Sequence, residues 1–339
     1  MRFRSISSAD VSISEIGFGC GGTAGLMVRG SPDEQRAVIA RALERGINYF
    51  DVAPDYGAGA AEENLGRVLR ELGVRPYITT KVEIRAADLG DVAAHVVRST
   101  VASLRRLGVD YVDFLQIHNA PVRRHPDQPA DAYAHLWLEH YLGPNGALEG
   151  LRRAQGDGKT RHVGFIVRGG DVEAASQMLT TGAFQLINVS YHLLNPTAGQ
   201  PAPSGLQVDA DWGAVINEAQ RLGVGVAVYS PLANGLLTDA VLRGAAAHPL
   251  SGGRLPERAD YPDLVRRVQS LSFLSVPGVQ SLSQAGYRFI LMHPGVTSVL
   301  GGFSEQSHLD DALAAASSDP LSEADLARLD AVWRANLVA

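Results

Sequence analysis

Residues 31–51 run Ser31-Pro32-Asp33-Glu34-Gln35-Arg36-Ala37-Val38-Ile39-Ala40-Arg41-Ala42-Leu43-Glu44-Arg45-Gly46-Ile47-Asn48-Tyr49-Phe50-Asp51, and the architecture can be read outward from them. A serine followed by proline and two acids starts a helix. It offers a side-chain cap, a proline where no N–H is needed, and negative charge at the positive end of the dipole. Val38, Ile39 and Ala42 then recur at the spacing of one apolar helix face. Gly46 closes the helix, and the short apolar run Ile47–Asp51 follows as a strand that ends on an acid.

The same alternation fills the chain. Apolar runs predict strands at Ile16–Gly19, Ile47–Asp51, Tyr77–Lys81, Val112–His118, His162–Val167, Phe184–Val189, Val224–Tyr229 and Val296–Leu300. Amphipathic stretches predict helices at Pro32–Arg45, Ala61–Leu72, Asp91–Leu107, Leu148–Gln155, Asp171–Thr180, Ala210–Leu222 and Leu282–His293, with two more beginning near Ser304 and Ser322. Strands that alternate with helices imply a parallel sheet. Eight such units favour closure into a (β/α)8 TIM barrel over an open doubly wound sheet. The open-sheet reading is weak at its main signature. Gly17-Phe18-Gly19-Cys20-Gly21-Gly22 is glycine-rich, but no ribose-binding acid ends a second strand about 20 residues later. Tight packing at a strand exit explains those glycines as well as a ligand does.

Three connections, 119–146, 192–209 and 233–280, are too long to be simple turns, and all three follow strands. In a barrel they rise from the C-terminal face, where sites are built. The expectation is one domain, residues 1–339, with elaborated rim loops. Thirty Lys+Arg against 36 Asp+Glu leave a net charge of −6, which argues against nucleic acid or an anionic membrane as the main partner. The sequence begins without a visible signal peptide, and no uncharged apolar run approaches the ~18–20 residues that span a bilayer. The expectation is a soluble, cytoplasmic protein acting on a small molecule. The single cysteine, Cys20, has no internal disulfide partner, and no Cys/His spacing suggests a metal site. Only Lys81 and Lys159 are lysines in a chain that otherwise uses arginine, so each raises the question of whether an amine is required there.

Asp51, Lys81 and His118 end the second, third and fourth strands, and Tyr56 follows Asp51 in the next loop. Alone, each has an ordinary reading: a turn acid, a snorkelling lysine, a loop aromatic, a satisfied core histidine. Together at one rim they form a proton donor for a carbonyl oxygen. An amine beside a phenol lowers the phenol's pKa from about 10, a carboxylate keeps the amine charged, and a histidine holds the substrate oxygen. Trp137 and Trp212, on rim loops, either line a substrate pocket or pack the loops.

Ile16–Gly22, Asn48–Gly57, Thr79-Thr80-Lys81-Val82 and Leu115-Gln116-Ile117-His118 resemble the aldo-keto reductases in order and spacing. Glu62-Glu63-Asn64-Leu65-Gly66, Tyr191–Asn195 and Tyr229-Ser230-Pro231-Leu232 extend the resemblance, which runs from Ser14 to about Ala316. It implies a barrel that binds NADP(H) or NAD(H), NADP being the family's default, with Tyr56 as general acid/base, Lys81 and Asp51 tuning it, and His118 orienting the substrate. On the cofactor side it implies roles for Gly21, for Asn188 at the carboxamide, Tyr229 under the nicotinamide, Ser230 and Leu232 along the pyrophosphate, Gly301, Gly302 and Ser304 near the adenosine phosphate, and Asp311 at the adenine. Two departures stand out. Gly164-Phe165-Ile166-Val167-Arg168 lacks the family's Ser-Asn carboxamide pair, which leaves Arg168 as a replacement. Ser304, followed by Glu305, stands where the family has a cation for the 2′-phosphate of NADP.

The expected function is interconversion of a carbonyl or sugar lactol and its alcohol or lactone by hydride transfer. Leu193–Gly199 resembles the family's sugar-dehydrogenase branch. The alternative is a cofactor-binding scaffold like the family's potassium-channel β subunits. A metal-dependent hydrolase ranks behind both, because Lys81 beside Asp51 and His118 disfavours a dication.

Overall fold

The computed structural model describes residues 1–21, 25–168, 171–245 and 260–338. Its strands are β1 (Phe3–Ile6), β2 (Val11–Ser14), β3 (Ile16–Gly19), β4 (Tyr49–Asp51), β5 (Tyr77–Val82), β6 (Val112–Ile117), β7 (Ala120–Val122), β8 (His135–Trp137), β9 (Thr160–Ile166), β10 (Leu186–Ser190), β11 (Gly225–Tyr229) and β12 (Ser298–Gly302). The apolar runs all become strands of one closed parallel barrel, in the order β3-β4-β5-β6-β9-β10-β11-β12. This is the expected (β/α)8 architecture. The helix from Pro32 to Glu44 has the Ser31–Glu34 capping box that its sequence announces.

Local differences have local causes. β4 starts at Tyr49 rather than Ile47; just before it the Asn48 side chain accepts from the backbone N–H of Ser14 at 2.7 Å, tying the strand's entrance to the β1–β2 hairpin. The helix expected over 210–222 forms only at Val215–Arg221. The residues before it are held by Thr197, whose Oγ1 accepts from Trp212 N at 3.0 Å and whose carbonyl accepts from Ala214 N at 2.7 Å.

The first rim loop carries the small parallel pair β7–β8, and helices Asp239–Leu242 and Tyr261–Gln269 belong to the third. Residues 246–259 of that loop, and Gly22 of the glycine-rich segment, lie outside the described residues.

The antiparallel hairpin β1–β2 closes the floor of the barrel. Ile6 and Ile13 are buried with Tyr49, Phe114, Leu186, Ala227 and Leu300 in a cluster separate from the larger core between strands and helices. Gly225 makes room for this plug, since a Cβ there would stand 2.6 Å from Ile6 Cδ1. Strand alternation then stacks two layers in the lumen. Tyr49, Phe114 and Leu186 form an apolar layer, and Asp51, Gln116 and Asn188, each two residues further along its strand, form a polar layer with Lys81 of β5. The apolar floor therefore leads into a polar mouth. Among the described residues no helix is long and apolar enough to cross a membrane.

Candidate active site

The polar layer is a hydrogen-bonded chain across the barrel. Gln116 Nε2 donates to Asn188 Oδ1 at 2.9 Å, and Asn188 Nδ2 donates to Asp51 Oδ2 at 3.0 Å. Lys81 Nζ donates to Asp51 Oδ1 at 2.5 Å, to the Val52 carbonyl at 2.9 Å and to the Tyr56 hydroxyl at 3.5 Å. Three partners thus take the three N–H bonds of the ammonium, and the Lys81 side chain is 2% exposed. Burial alone pulls the Lys81 pKa down, but Asp51 and Tyr56 outweigh it and the net shift is upward. Lys81 is charged throughout the neutral range.

Tyr56 corrects one expectation. Lys81 does lower its pKa, but burial raises it more, and the phenol rises to about 12 rather than falling below its usual 10. The ammonium is already neutralised by Asp51 at shorter range, so its field at the phenol is too small to offset the lost hydration. The hydroxyl keeps its proton at neutral pH.

His118 packs edge-on to the Tyr56 ring, with centroids 6.0 Å apart. The sequence argument therefore brings Asp51, Tyr56, Lys81 and His118 to one place, and all four line a cavity of about 1110 Å³ at the C-terminal end of the barrel. Gly21, Arg168, Asn188, Tyr229, Ser230, Leu232, Gly302, Ser304 and Asp311 line the same cavity. Gly21 presents bare backbone beside the Tyr56 ring, where a Cβ would reach only to 4.0 Å. The Tyr229 hydroxyl donates to the Val167 carbonyl at 3.3 Å, and Arg168 is a hydrogen-bond partner of the same phenol. After β11 the chain turns through left-handed conformations at Ser230, Ala233 and Asn234 (φ 50°, 48° and 55°), a concentration of backbone strain facing the cavity.

One expected contact, Gly301, is placed otherwise, and the settings of Asn188, Trp212 and Trp137 are specific. Gly301 is not part of the wall. It lies under the Phe303 ring, which a Cβ would strike at 2.1 Å, so its lack of a side chain serves packing. Asn188 reaches the cavity with its oxygen and one amide hydrogen already committed to Gln116 and Asp51. Trp212 is buried in the main core rather than on the cavity, while Trp137 donates from Nε1 to the Arg123 carbonyl and packs against His125 and His140.

Asp55, Glu83 and Tyr133 were not singled out in the sequence, although they surround His118. Tyr133 donates to Asp55 Oδ2, and its ring lies 5.2 Å from that of His118. One signal was available: Glu83 stands two residues beyond Lys81, the spacing that returns a strand to the same face. Tyr133, deep in a rim loop, carries no such signal. At the far end of the cavity Ser304 Oγ pairs with His308 Nδ1 at 3.0 Å, and His308 Nε2 faces Glu305 at 3.1 Å. Asp311 Oδ1 accepts from Gln284 Nε2 at 3.1 Å.

Comparison with known proteins adds independent findings. The family model described as the Aldo/keto reductase family matches residues 15–334. A probable voltage-gated potassium channel subunit beta of Arabidopsis thaliana is 26% identical over 334 residues, covering 95% of this chain and 93% of its own. L-glyceraldehyde 3-phosphate reductase of Escherichia coli (strain K12) is 27% identical over 315 residues, covering 88% and 83%. The structure of the holo form of an aldo-keto reductase from Bacillus halodurans superposes with a TM-score of 0.70 at 23% identity, covering 98% of this chain and 96% of that one.

Proposed function

The chain belongs to the aldo/keto reductase family, and we propose that it is an NAD(P)-dependent oxidoreductase that interconverts a carbonyl or sugar lactol and its alcohol or lactone. The observation that carries this reading is the set Asp51, Lys81, Tyr56 and His118 at the inner end of one cavity, with the Tyr56 hydroxyl 3.5 Å from the Lys81 ammonium.

The cavity fits a dinucleotide. Its volume is about 1110 Å³, its lining includes Tyr56, Tyr229 and Asp311, and it offers backbone without side chains at Gly21 and Gly302. Gly21, Tyr229, Asn188 and Arg168 would hold the nicotinamide end, Ser230 and Leu232 the pyrophosphate, and Gly302, Ser304 and Asp311 the adenosine. A reduced nicotinamide held by these residues would provide the hydride for the carbonyl carbon.

The chain's own residues manage the oxygen. As negative charge develops there, Tyr56 Oη delivers its proton and the Lys81 ammonium stabilises the phenolate left behind. Asp51 keeps that ammonium charged inside the barrel. His118 completes the cradle by donating to the same oxygen. A phenol with its pKa near 12 is a reservoir of protons for reduction across the physiological range.

Resemblance favours NADP, while Glu305, paired with His308, works against a 2′-phosphate. One relative is a probable channel beta subunit, but the side-chain set suited to proton transfer supports turnover over the scaffold alternative.

Parallel fluorescence and thermal-shift titrations with NADPH and NADH test the reading, followed by a panel of aldehydes and aldoses. Saturable binding of one cofactor and its carbonyl-dependent oxidation are expected. No binding, or binding without oxidation by any carbonyl, contradicts it.

A further inference from the structure

Two carboxylates unused by this scheme flank His118 on its Nδ1 side. Asp55 comes from the loop after β4 and Glu83 from just past the end of β5. One oxygen of each is committed elsewhere: Asp55 Oδ2 accepts from Tyr133, and Glu83 Oε2 from Arg85 at 3.1 Å. The other two, Asp55 Oδ1 and Glu83 Oε1, are buried with no hydrogen-bond partner. Both lie 3.7 Å from His118 Nδ1.

Two acid oxygens converging in a buried place repel each other and lack hydration, so a positive charge between them is favoured over two unpaired anions. Among the described residues, the other charged and titratable groups around these acids have partners of their own, including His95, which bonds the Glu83 carbonyl at 2.8 Å and faces Asp88. Lys81 is held by Asp51, Val52 and Tyr56, Arg85 binds the outer oxygen of Glu83 and lies over the Tyr133 ring, and Arg168 acts on Tyr133 from the loop after β9. The group placed between Asp55 and Glu83 is the imidazole ring, with Nδ1 facing an oxygen of each.

We propose that Asp55 and Glu83 hold His118 as an imidazolium with its Nδ1–H turned between them, so that a charged Nε2–H faces the substrate oxygen. This rests on the oxidoreductase reading for its consequence but not for its measurement. An imidazolium is a stronger donor than neutral imidazole and sets a full positive charge opposite the developing oxyanion. The two acids touch neither substrate nor cofactor, so they are positioning residues. The ligand atoms of Asp55, Glu83 and His118 lie within 4.8 Å of one another, so a divalent ion is the competing occupant. The Lys81 ammonium, close enough to feel the charge of Asp55, opposes a second positive ion there.

The test is histidine-labelled nitrogen NMR on the full chain, titrated in pH, with His118→Gln identifying the resonance. His118 is expected to stay doubly protonated about one unit or more above the usual histidine value of about 6.5. Asp55→Asn and Glu83→Gln should each lower its titration, together by at least tenfold in proton affinity. The alkaline limb of reductive kcat/KM should move down in parallel, and Asp55→Glu should restore both. A neutral His118 at pH 7.5, variants that leave its titration unmoved, or an equivalent of divalent metal whose chelation shifts the resonance would overturn the proposal. The titration of the wild-type protein decides even if a variant fails to fold. An imidazolium in a protein inert to every carbonyl refutes the oxidoreductase reading and leaves this one standing.

Discussion

Lys81 and Asp51 depend on each other. Both side chains are almost wholly buried, at 2% and 4% exposure, and removing one strands the other's charge in the barrel. Asp51→Asn should therefore destabilise the protein by about 3 kcal/mol, near the low end for breaking a buried pair, because the Val52 carbonyl remains a partner. Denaturant unfolding checks this. The pair also predicts a pH dependence. Lys81 is raised above its unfolded value of 10.5 and Tyr56 above 10.0, so both hold protons in the folded state that the unfolded chain releases. Their contribution is complete below about pH 10 and is lost as pH rises beyond it, giving an alkaline decline in stability that Asp51→Asn should blunt. The four central residues were legible in the sequence because strand ends are local signals. Their electrostatics were not. The balance between burial and Lys81 at the Tyr56 hydroxyl depends on depth and on Asp51, which spacing does not reveal.

At the level of elements, the strands and helices that the alternation predicts are those that form, because caps and apolar periodicity act within a few residues. What escaped the sequence depends on partners far along the chain. The β1–β2 hairpin has exposed residues at Phe3 and Ser5 and gains its apolar contacts inside a barrel built much later in the sequence. The inward use of Gln116 and of Asn188 likewise requires the register of β6 and β10 against their neighbours. Glu62-Glu63-Asn64-Leu65-Gly66, part of the family resemblance, has a structural meaning. Glu62 is fully buried, accepting from Thr80 Oγ1 at 2.5 Å and Arg106 Nε at 2.6 Å, and so ties the helix Ala60–Leu72 to β5 and to the helix Val92–Leu107. Gly66 sets the spacing of those two helices, since a Cβ there would stand 2.1 Å from the Leu107 carbonyl oxygen. Gly66→Ala should cost about 3 kcal/mol, the upper range for overpacking against rigid backbone. Its thermal unfolding midpoint should fall, with cofactor affinity per folded molecule unchanged.

At the level of the molecule, the barrel separates stability from chemistry along its axis. The floor is a plug of Ile6, Ile13, Tyr49, Phe114 and Leu186, and the mouth is a charged chain from Gln116 to Lys81. Ile13→Ala should lower stability by about 2–4 kcal/mol through the cavity it leaves, without changing kcat at temperatures where the protein stays folded. An equal loss of kcat would mean that the floor supports the mouth more directly than its apolar layer implies. The most decisive single measurement is the stopped-flow oxidation of bound reduced nicotinamide by a reactive aldehyde in wild type and Tyr56→Phe, after both are shown to bind cofactor equally. Removal of the proton donor should slow the decay by about 10²-fold or more, whereas equal rates in the two proteins would show that the Tyr56 hydroxyl does not deliver the proton.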